Sequence, residues 1–317
     1  MSLRSVAGRA ARGFVAGVVL IVGLATLLGL LDRVSWVFEL ADVFRLQYFV
    51  VLFGAAFASL LLRRPRLAAA AAVLAALNVA VLGISLIPTA TASSGAPFGS
   101  LRLVVANVEV GNTDFAAVER LVARTSPDLL GVTELTPAMA AHLGSALHGY
   151  RTRVVATRTD AYGIGVYSRG PLLSTRVVHW PADGPPTVVV RVRVAGRPVS
   201  VVVTHVHTPF AGSIHVRQLH ALAQARSALG RRVAVCGDFN TPPWSGPLRD
   251  FASDAGLRDL YGRSAWAAYS WPTWSWLLRV PLDNCFVGAG VVVREHHDGP
   301  SDGSDHRPLV VDLAVTR

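Results

Sequence analysis

Two cysteines, Cys236 and Cys285, are all that the 317 residues carry, and lysine is absent altogether. Two cysteines exclude a disulfide-rich scaffold and a four-cysteine zinc site. Both fall on apolar strand-like runs, where the reading is a pair of buried thiols. A single disulfide is the alternative, and it requires Cα atoms within about 7 Å. Without lysine, every one of the 30 basic residues is arginine, set against 20 acidic residues for a formal charge of +10. Residues 1–90 hold 8 of those arginines and 3 acidic residues, leaving 22 and 17 for the remainder, so each part carries +5. Half of the excess charge thus sits in the first 90 residues, and the chain shows no long basic stripe. Basicity alone therefore makes a weak case for nucleic acid. Internal repeats and coiled-coil heptads are also missing, which excludes a solenoid or a long rod.

What the chain has in abundance is apolar residues: 52% are hydrophobic and the mean hydropathy is +0.44. Three charge-free runs, Phe14 to Leu31, Leu46 to Leu62 and Leu67 to Ile87, each reach the ~17–25 residues needed to cross a bilayer. They predict a three-helix membrane anchor over 1–88. Arg4, Arg9 and Arg12 precede the first run, and Arg63, Arg64 and Arg66 separate the second from the third. The positive-inside rule places both clusters in the cytoplasm and everything after Pro88 outside. A cleavable signal is the competing reading, with Ala90-Thr91-Ala92 as its cleavage site, but two apolar runs precede the third. A transport module is a poor reading, because the runs hold one Asn and no acidic residue. Residues 89–100 are uncharged and read as a linker.

From Leu101 onward, strand-like runs alternate with amphipathic ones. Expected strands are Leu101 to Asn107, Leu129 to Glu134, Tyr162 to Ser168, Thr187 to Val194, Val199 to His205, Val233 to Cys236, Leu282 to Val287, Val291 to Arg294 and Leu309 to Val315. Expected helices are Phe115 to Arg124 with Asp114 as N-cap, one starting at Pro137, and Val216 to Leu229. Mixed strands and helices predict sheets covered by helices. Polar residues end these strands: Asn107, Glu134, His205 with His207 two places on, Asp238 with Asn240, Asp283, and Asp305-His306. Alone, each is an ordinary surface residue, and Asp238-Phe239-Asn240 an ordinary turn. Together they supply oxygen ligands for a hard metal, a general base and a cation for phosphate.

In that order the segments Ala106-Asn107-Val108, Gly131-Val132-Thr133-Glu134-Leu135, Thr204-His205, Gly237-Asp238-Phe239-Asn240, Leu282-Asp283-Asn284-Cys285 and Ser304-Asp305-His306-Arg307-Pro308 resemble the endonuclease/exonuclease/phosphatase (DNase I-like) superfamily. The resemblance covers 101–315, and the layout of helices, linker and domain is similar to that of membrane-anchored bacterial members. It implies an α/β fold, a four-layer αββα sandwich over 101–317, with the site at one rim. It also implies Mg2+, with Mn2+ as the substitute, held by Glu134 with Asn107 and Asp305. Asp238 would orient or activate the attacking water with Asn240 fixing it. His306, paired to Asp283, would contact the phosphoryl group, and His205 would hold another of its oxygens. The choice between His205 and His207 stays open, with His205 favoured by the preceding Thr204. Asn284 stands where many members have His or an aromatic residue. Tyr162-Gly163 lacks the Asn that some nuclease branches carry, which argues against an abasic-site nuclease.

The expected function is a membrane-tethered, metal-dependent phosphodiesterase facing the cell exterior. Its partners would be the bilayer and a phosphoester substrate: nucleic acid, a lipid headgroup or a small phosphoester. No obligate protein partner is inferred, and a catalytically inactive outer binding domain is the alternative. Tyr269 to Trp276, with Leu277 and Leu278 behind it, is unusually aromatic and reads as packing at Trp271. Trp274 and Trp276 read either as a headgroup contact or as stacking platforms.

Overall fold

The computed structural model describes residues 3–85, 96–260 and 269–316. The chain divides into two compact units, one of residues 1–87 with 244–246 and one of residues 88–243 and 247–317.

The first unit is helical: α1 (Leu3–Leu28), α2 (Trp36–Asp42), α3 (Arg45–Leu61) and α4 (Pro65–Ser85). The three apolar runs fall on α1, α3 and α4. Among the described residues, two stretches, Val6–Leu31 and Pro65–Gly83, are long and apolar enough to cross a membrane. The helix α3 has only 17 residues and meets α2 at 59°, so it makes a third span only if that bent pair counts as one. Small residues let the helices approach, with Val19, Ala55 and Ala71 packed together. One polar network is buried among them. The Asn78 amide donates to Thr26 Oγ1 at 2.9 Å, and Arg45 donates to the Thr26 carbonyl at 2.8 Å and to Asn78 Oδ1 at 3.3 Å while pairing with Asp42. Buried polar groups in apolar surroundings need such partners.

The second unit is a sandwich of two six-stranded sheets. Its strands are β1 (Phe98–Asn107), β2 (Leu129–Thr133), β3 (Thr152–Ala156), β4 (Ile164–Ser168), β5 (Ser174–His179), β6 (Pro186–Val194), β7 (Arg197–His205), β8 (Val233–Asp238), β9 (Arg258–Asp259), β10 (Asp283–Val287), β11 (Val291–Asp298) and β12 (Leu309–Val315). One sheet has the order β11-β12-β1-β2-β4-β3, the other β5-β6-β7-β8-β10-β9. The central strands read as unbroken apolar runs because both of their faces are covered. In β1, Leu103 and Val105 face the space between the sheets, while Val104 and Ala106 face the helices α5 (Phe115–Thr125) and α6 (Pro137–Ala146). In β7, Val201 and Val203 face inward, and Val202 meets α7 (Ser213–Ala225) and α8 (Gly246–Asp254). Helix, sheet, sheet, helix is the four-layer arrangement expected.

The expected N-cap is in place: the Asp114 side chain accepts from Ala117 N at 3.1 Å. Strand β1 begins at Phe98 and takes in the last three positions of the expected linker; residues 89–95 lie outside the described residues. The expectation of buried thiols is corrected. Cys236 and Cys285 lie opposite each other on the antiparallel pair β8–β10, with Cα atoms 4.0 Å apart, and form a disulfide.

Candidate active site

Strand directions explain why the polar ends meet. Strands β1 and β2 run parallel, and Asn107 ends the first opposite Thr133, one residue before Glu134. Strands β7 and β8 also run parallel, with His205 opposite Asp238. Strand β10 is antiparallel to β8, so its first residue, Asp283, lies opposite Asp238. Strand β12 is antiparallel to β1, and its start at Leu309 pairs with Val105, which delivers the segment before it to the same rim. Strand direction therefore gathers six chain segments, three in each sheet.

Asp238, 1% exposed, is the hub. Its Oδ2 accepts from Asn107 Nδ2 at 2.9 Å and its Oδ1 from the Asn240 backbone N–H at 2.8 Å. The same Asn107 amide donates to Glu134 Oε1 at 2.9 Å. Asn240 is not carried here by strand alternation. The strand stops at Asp238, and Asn240 is reached by a turn at φ +54° in which the aspartate caps the backbone. Its amide then donates to the Val206 carbonyl at 2.8 Å and approaches His205 Nε2 at 3.0 Å. His205 Nδ1 lies 2.8 Å from the Ala161 carbonyl, so Nδ1 carries the proton and Nε2 receives the Asn240 N–H.

On the other side of Asp238, His306 Nδ1 donates to Asp283 Oδ2 at 2.8 Å, while His306 Nε2 lies 3.8 Å from Asp238 Oδ2. Asp283 is held by its backbone N–H on Ser270 Oγ at 3.1 Å, and His306 by its own on Ser304 Oγ at 3.0 Å. Burial opposes charge on the His306 ring, but the carboxylates of Asp283 and Asp238 outweigh it and push the pKa up to about 10. The ring is therefore an imidazolium at neutral pH. Burial pushes the Asp283 carboxyl up as well, against the downward pull of His306. Of the two candidate histidines, His205 faces Asp238 at 3.6 Å, while His207 turns away to Gln218 Oε1 at 2.7 Å.

A family profile described as "Endonuclease/Exonuclease/phosphatase family" matches residues 104–306, well over half of the chain. The chain belongs to this family. No curated protein sequence matches it. Solved structures share its fold: D. rerio TDP2 in complex with single strand DNA product (18% identity, TM-score 0.57, 68% of this chain and 98% of that one), the human Nocturnin catalytic domain with bound sulfate anion (16%, 0.55, 70% and 98%), and a family protein from Bacteroides thetaiotaomicron (16%, 0.58, 70% and 100%). Family members usually hydrolyse phosphoester bonds and typically use divalent metals.

The donor set fits such an ion. Glu134 and Asp238 converge on a single neutral amide group, that of Asn107, so two carboxylates share one donor with no formal positive charge. Asp238, Asp283 and His306 also lie within 4.8 Å of one another. Asp305 is not one of those three. Its backbone N–H donates to Glu109 Oε2 at 3.0 Å and its Oδ2 receives Trp271 Nε1–H at 2.8 Å, while Glu109 donates its own N–H to Asn107 Oδ1 at 3.0 Å. Glu109 is thus the carboxylate that links Asn107 to Asp305, and the sequence reading missed it. Its only signal was an acidic residue two places after the strand-ending Asn107. Tyr162, whose ring centre is 5.3 Å from that of His205, was also missed as a site residue. Burial, with Asp160, Glu134 and Asp238 adding to it, raises its hydroxyl pKa.

Proposed function

We propose that this protein is a membrane-tethered, divalent-metal-dependent phosphodiesterase whose catalytic unit faces the cell exterior. The observation that carries the reading is the direct bonding of Asp238 to Asn107 and Asn240, with the imidazolium of His306 beside it. Each carboxylate oxygen of Asp238 accepts one hydrogen bond from these partners and keeps a further lone pair for a water. That water would attack phosphorus, with Asp238 orienting it or taking its proton. His306 spends Nδ1–H on Asp283, and its Nε2–H, 3.8 Å from Asp238, is free of a close bond and suits a phosphoryl or leaving-group oxygen. His205 as it stands accepts from Asn240, so gripping a phosphoryl oxygen requires that it take up a proton at Nε2.

Glu134 and Asn107, with Asp305 brought in through Glu109, would hold Mg2+ or Mn2+. Bound there, the metal would neutralise phosphate charge and polarise the phosphorus–oxygen bond. Two features support an exterior site: the arginines at the ends of the apolar helices, and a disulfide, which persists in oxidising compartments. Fold likeness leaves the substrate open among nucleic acid, lipid headgroup and small phosphoester. The test is hydrolysis of bis-p-nitrophenyl phosphate by the full chain in detergent. Mg2+ or Mn2+ should support turnover, EDTA should stop it, and Asp238→Asn or His306→Ala should each reduce it about a hundredfold or more. Wild-type protein as inert as both variants would defeat the proposal in favour of a binding domain.

A further inference from the structure

The segment Trp271–Val280 is a short closed hairpin. Trp271 N–H donates to the Val280 carbonyl at 3.0 Å, and the two residues form an isolated antiparallel bridge. Its root is tied to Asp305, next to His306: Trp271 Nε1–H reaches Asp305 Oδ2 at 2.8 Å and Thr273 N–H reaches the Asp305 carbonyl at 2.8 Å. Its tip is the opposite in character. Trp274 is 71% exposed, Trp276 78%, Leu277 61% and Leu278 41%. Four large apolar side chains in five residues, held out by a hairpin with a fixed base, form no part of any core described above.

We propose that this tip docks the rim that carries the site onto the surface of a phospholipid bilayer. Tryptophan favours the headgroup level, where its ring and its N–H are both accommodated, and leucine adds apolar area for the acyl boundary. The segment carries no acidic residue to be repelled by anionic lipid. A nucleic acid is the less suitable occupant. Strand binding requires several cations along the backbone. This hairpin has one, Arg279, and its guanidinium already donates to the carbonyls of Pro272 at 3.3 Å and Thr273 at 3.1 Å. Chain length supplies the second argument. Twelve residues separate Ser85, the end of α4, from Phe98, the start of β1. Fully extended, that stretch reaches about 45 Å. The proposal rests on the membrane tether read above, and with that tether the second unit is never more than about its own width from a bilayer.

The full chain, reconstituted in phosphatidylcholine–phosphatidylglycerol vesicles, provides the test. The native cysteines are joined, so Ser275→Cys at the tip, or Ser227→Cys beyond the end of α7, introduces one free thiol for an environment-sensitive fluorophore. The label at 275 should shift to the blue and be quenched by lipid-borne quencher several-fold more than the label at 227. Adding Trp274→Ser, Trp276→Ser and Leu277→Ser should abolish that difference while leaving bis-p-nitrophenyl phosphate hydrolysis unchanged. Equal, water-like emission at both positions overturns the proposal. So does a blue shift at 275 that appears only on adding single-stranded oligonucleotide, which would give the tip to nucleic acid. Lipid quenching at 275 in a protein that hydrolyses nothing would support the docking surface and sink the phosphodiesterase reading, so the two fail separately.

Discussion

Gly237 is the residue at which the central strand could not tolerate a side chain. Its φ is +156°, and a Cβ there would lie 1.8 Å from the Thr204 carbonyl oxygen on the neighbouring strand. Backbone cannot move aside as a flexible side chain can. Gly237→Ala should therefore destabilise the protein by about 3 kcal/mol or more, read as a large fall in melting temperature by circular dichroism. An unchanged melting temperature would contradict this account. Asp298 illustrates the reverse, a residue that costs stability. Burial raises its pKa to about 7, against the pull of Arg307 and Arg279. Unfolded, it would titrate near 3.9. Between these values the folded state binds more protons, so stability falls as pH rises from about 4 to 7, and the cost is complete above that. Asp298→Asn should raise the melting temperature at pH 8 and lose that advantage towards pH 4. An equal effect at both pH values would show that ionisation is not the cause. Residue chemistry was legible where side-chain type limits role, as at Asp238, Asp283 and His306. It was illegible at Glu109, since nothing in Asn-Val-Glu reveals that its carboxylate meets the backbone of Asp305.

Among elements, the strands that stood out in the sequence are those buried on both faces. Strand β12 was expected at Leu309 to Val315 and lies there, and β1, β6, β7 and β8 differ by a few residues at one end. The unread elements share a physical reason. In β3 the burial alternates between half-buried and exposed, and β5 is exposed along almost its whole length. Both lie at sheet edges, where water satisfies one side and the apolar signal fades. Strand β9 has two residues, too few for any period. Helix α8 was not expected; its Gly-Pro opening and two aspartates weaken the helical pattern. At the site, element boundaries mattered less than strand direction. Parallel pairing of β1 with β2 and of β7 with β8 brings their C-terminal ends to one rim, and sequence alone does not print direction. Asp238-Phe239-Asn240 was weighed as either a turn or a site. It is both, because the turn is what aims Asn240 at His205.

For the molecule as a whole, the side of the membrane on which the catalytic unit lies is fixed by the number of crossings. Two straight spans would return the chain to its starting side, and only the bent pair α2–α3, counted as a third, carries it across. The arginines favour three. Arg9 and Arg12 near the start of α1, and Arg63, Arg64 and Arg66 around the start of α4, lie where one crossing ends and another begins, and residues 43–108 hold no acidic residue to offset them. With both clusters on the cytoplasmic side, α3 and its partner must cross for α4 to start there. The Cys236–Cys285 disulfide adds an independent constraint, since a reducing cytoplasm would open a bond of this kind in most proteins. Ser227 and Ala11 are both exposed and can each be made the single free thiol of the chain. A membrane-impermeant maleimide added to intact cells should label Ser227→Cys at once, and should label Ala11→Cys only after the membrane is opened. Protection of both positions until the membrane is opened would mean an even number of crossings and a cytoplasmic enzyme. The pocket chemistry would survive that result, but its substrate would then have to be sought inside the cell.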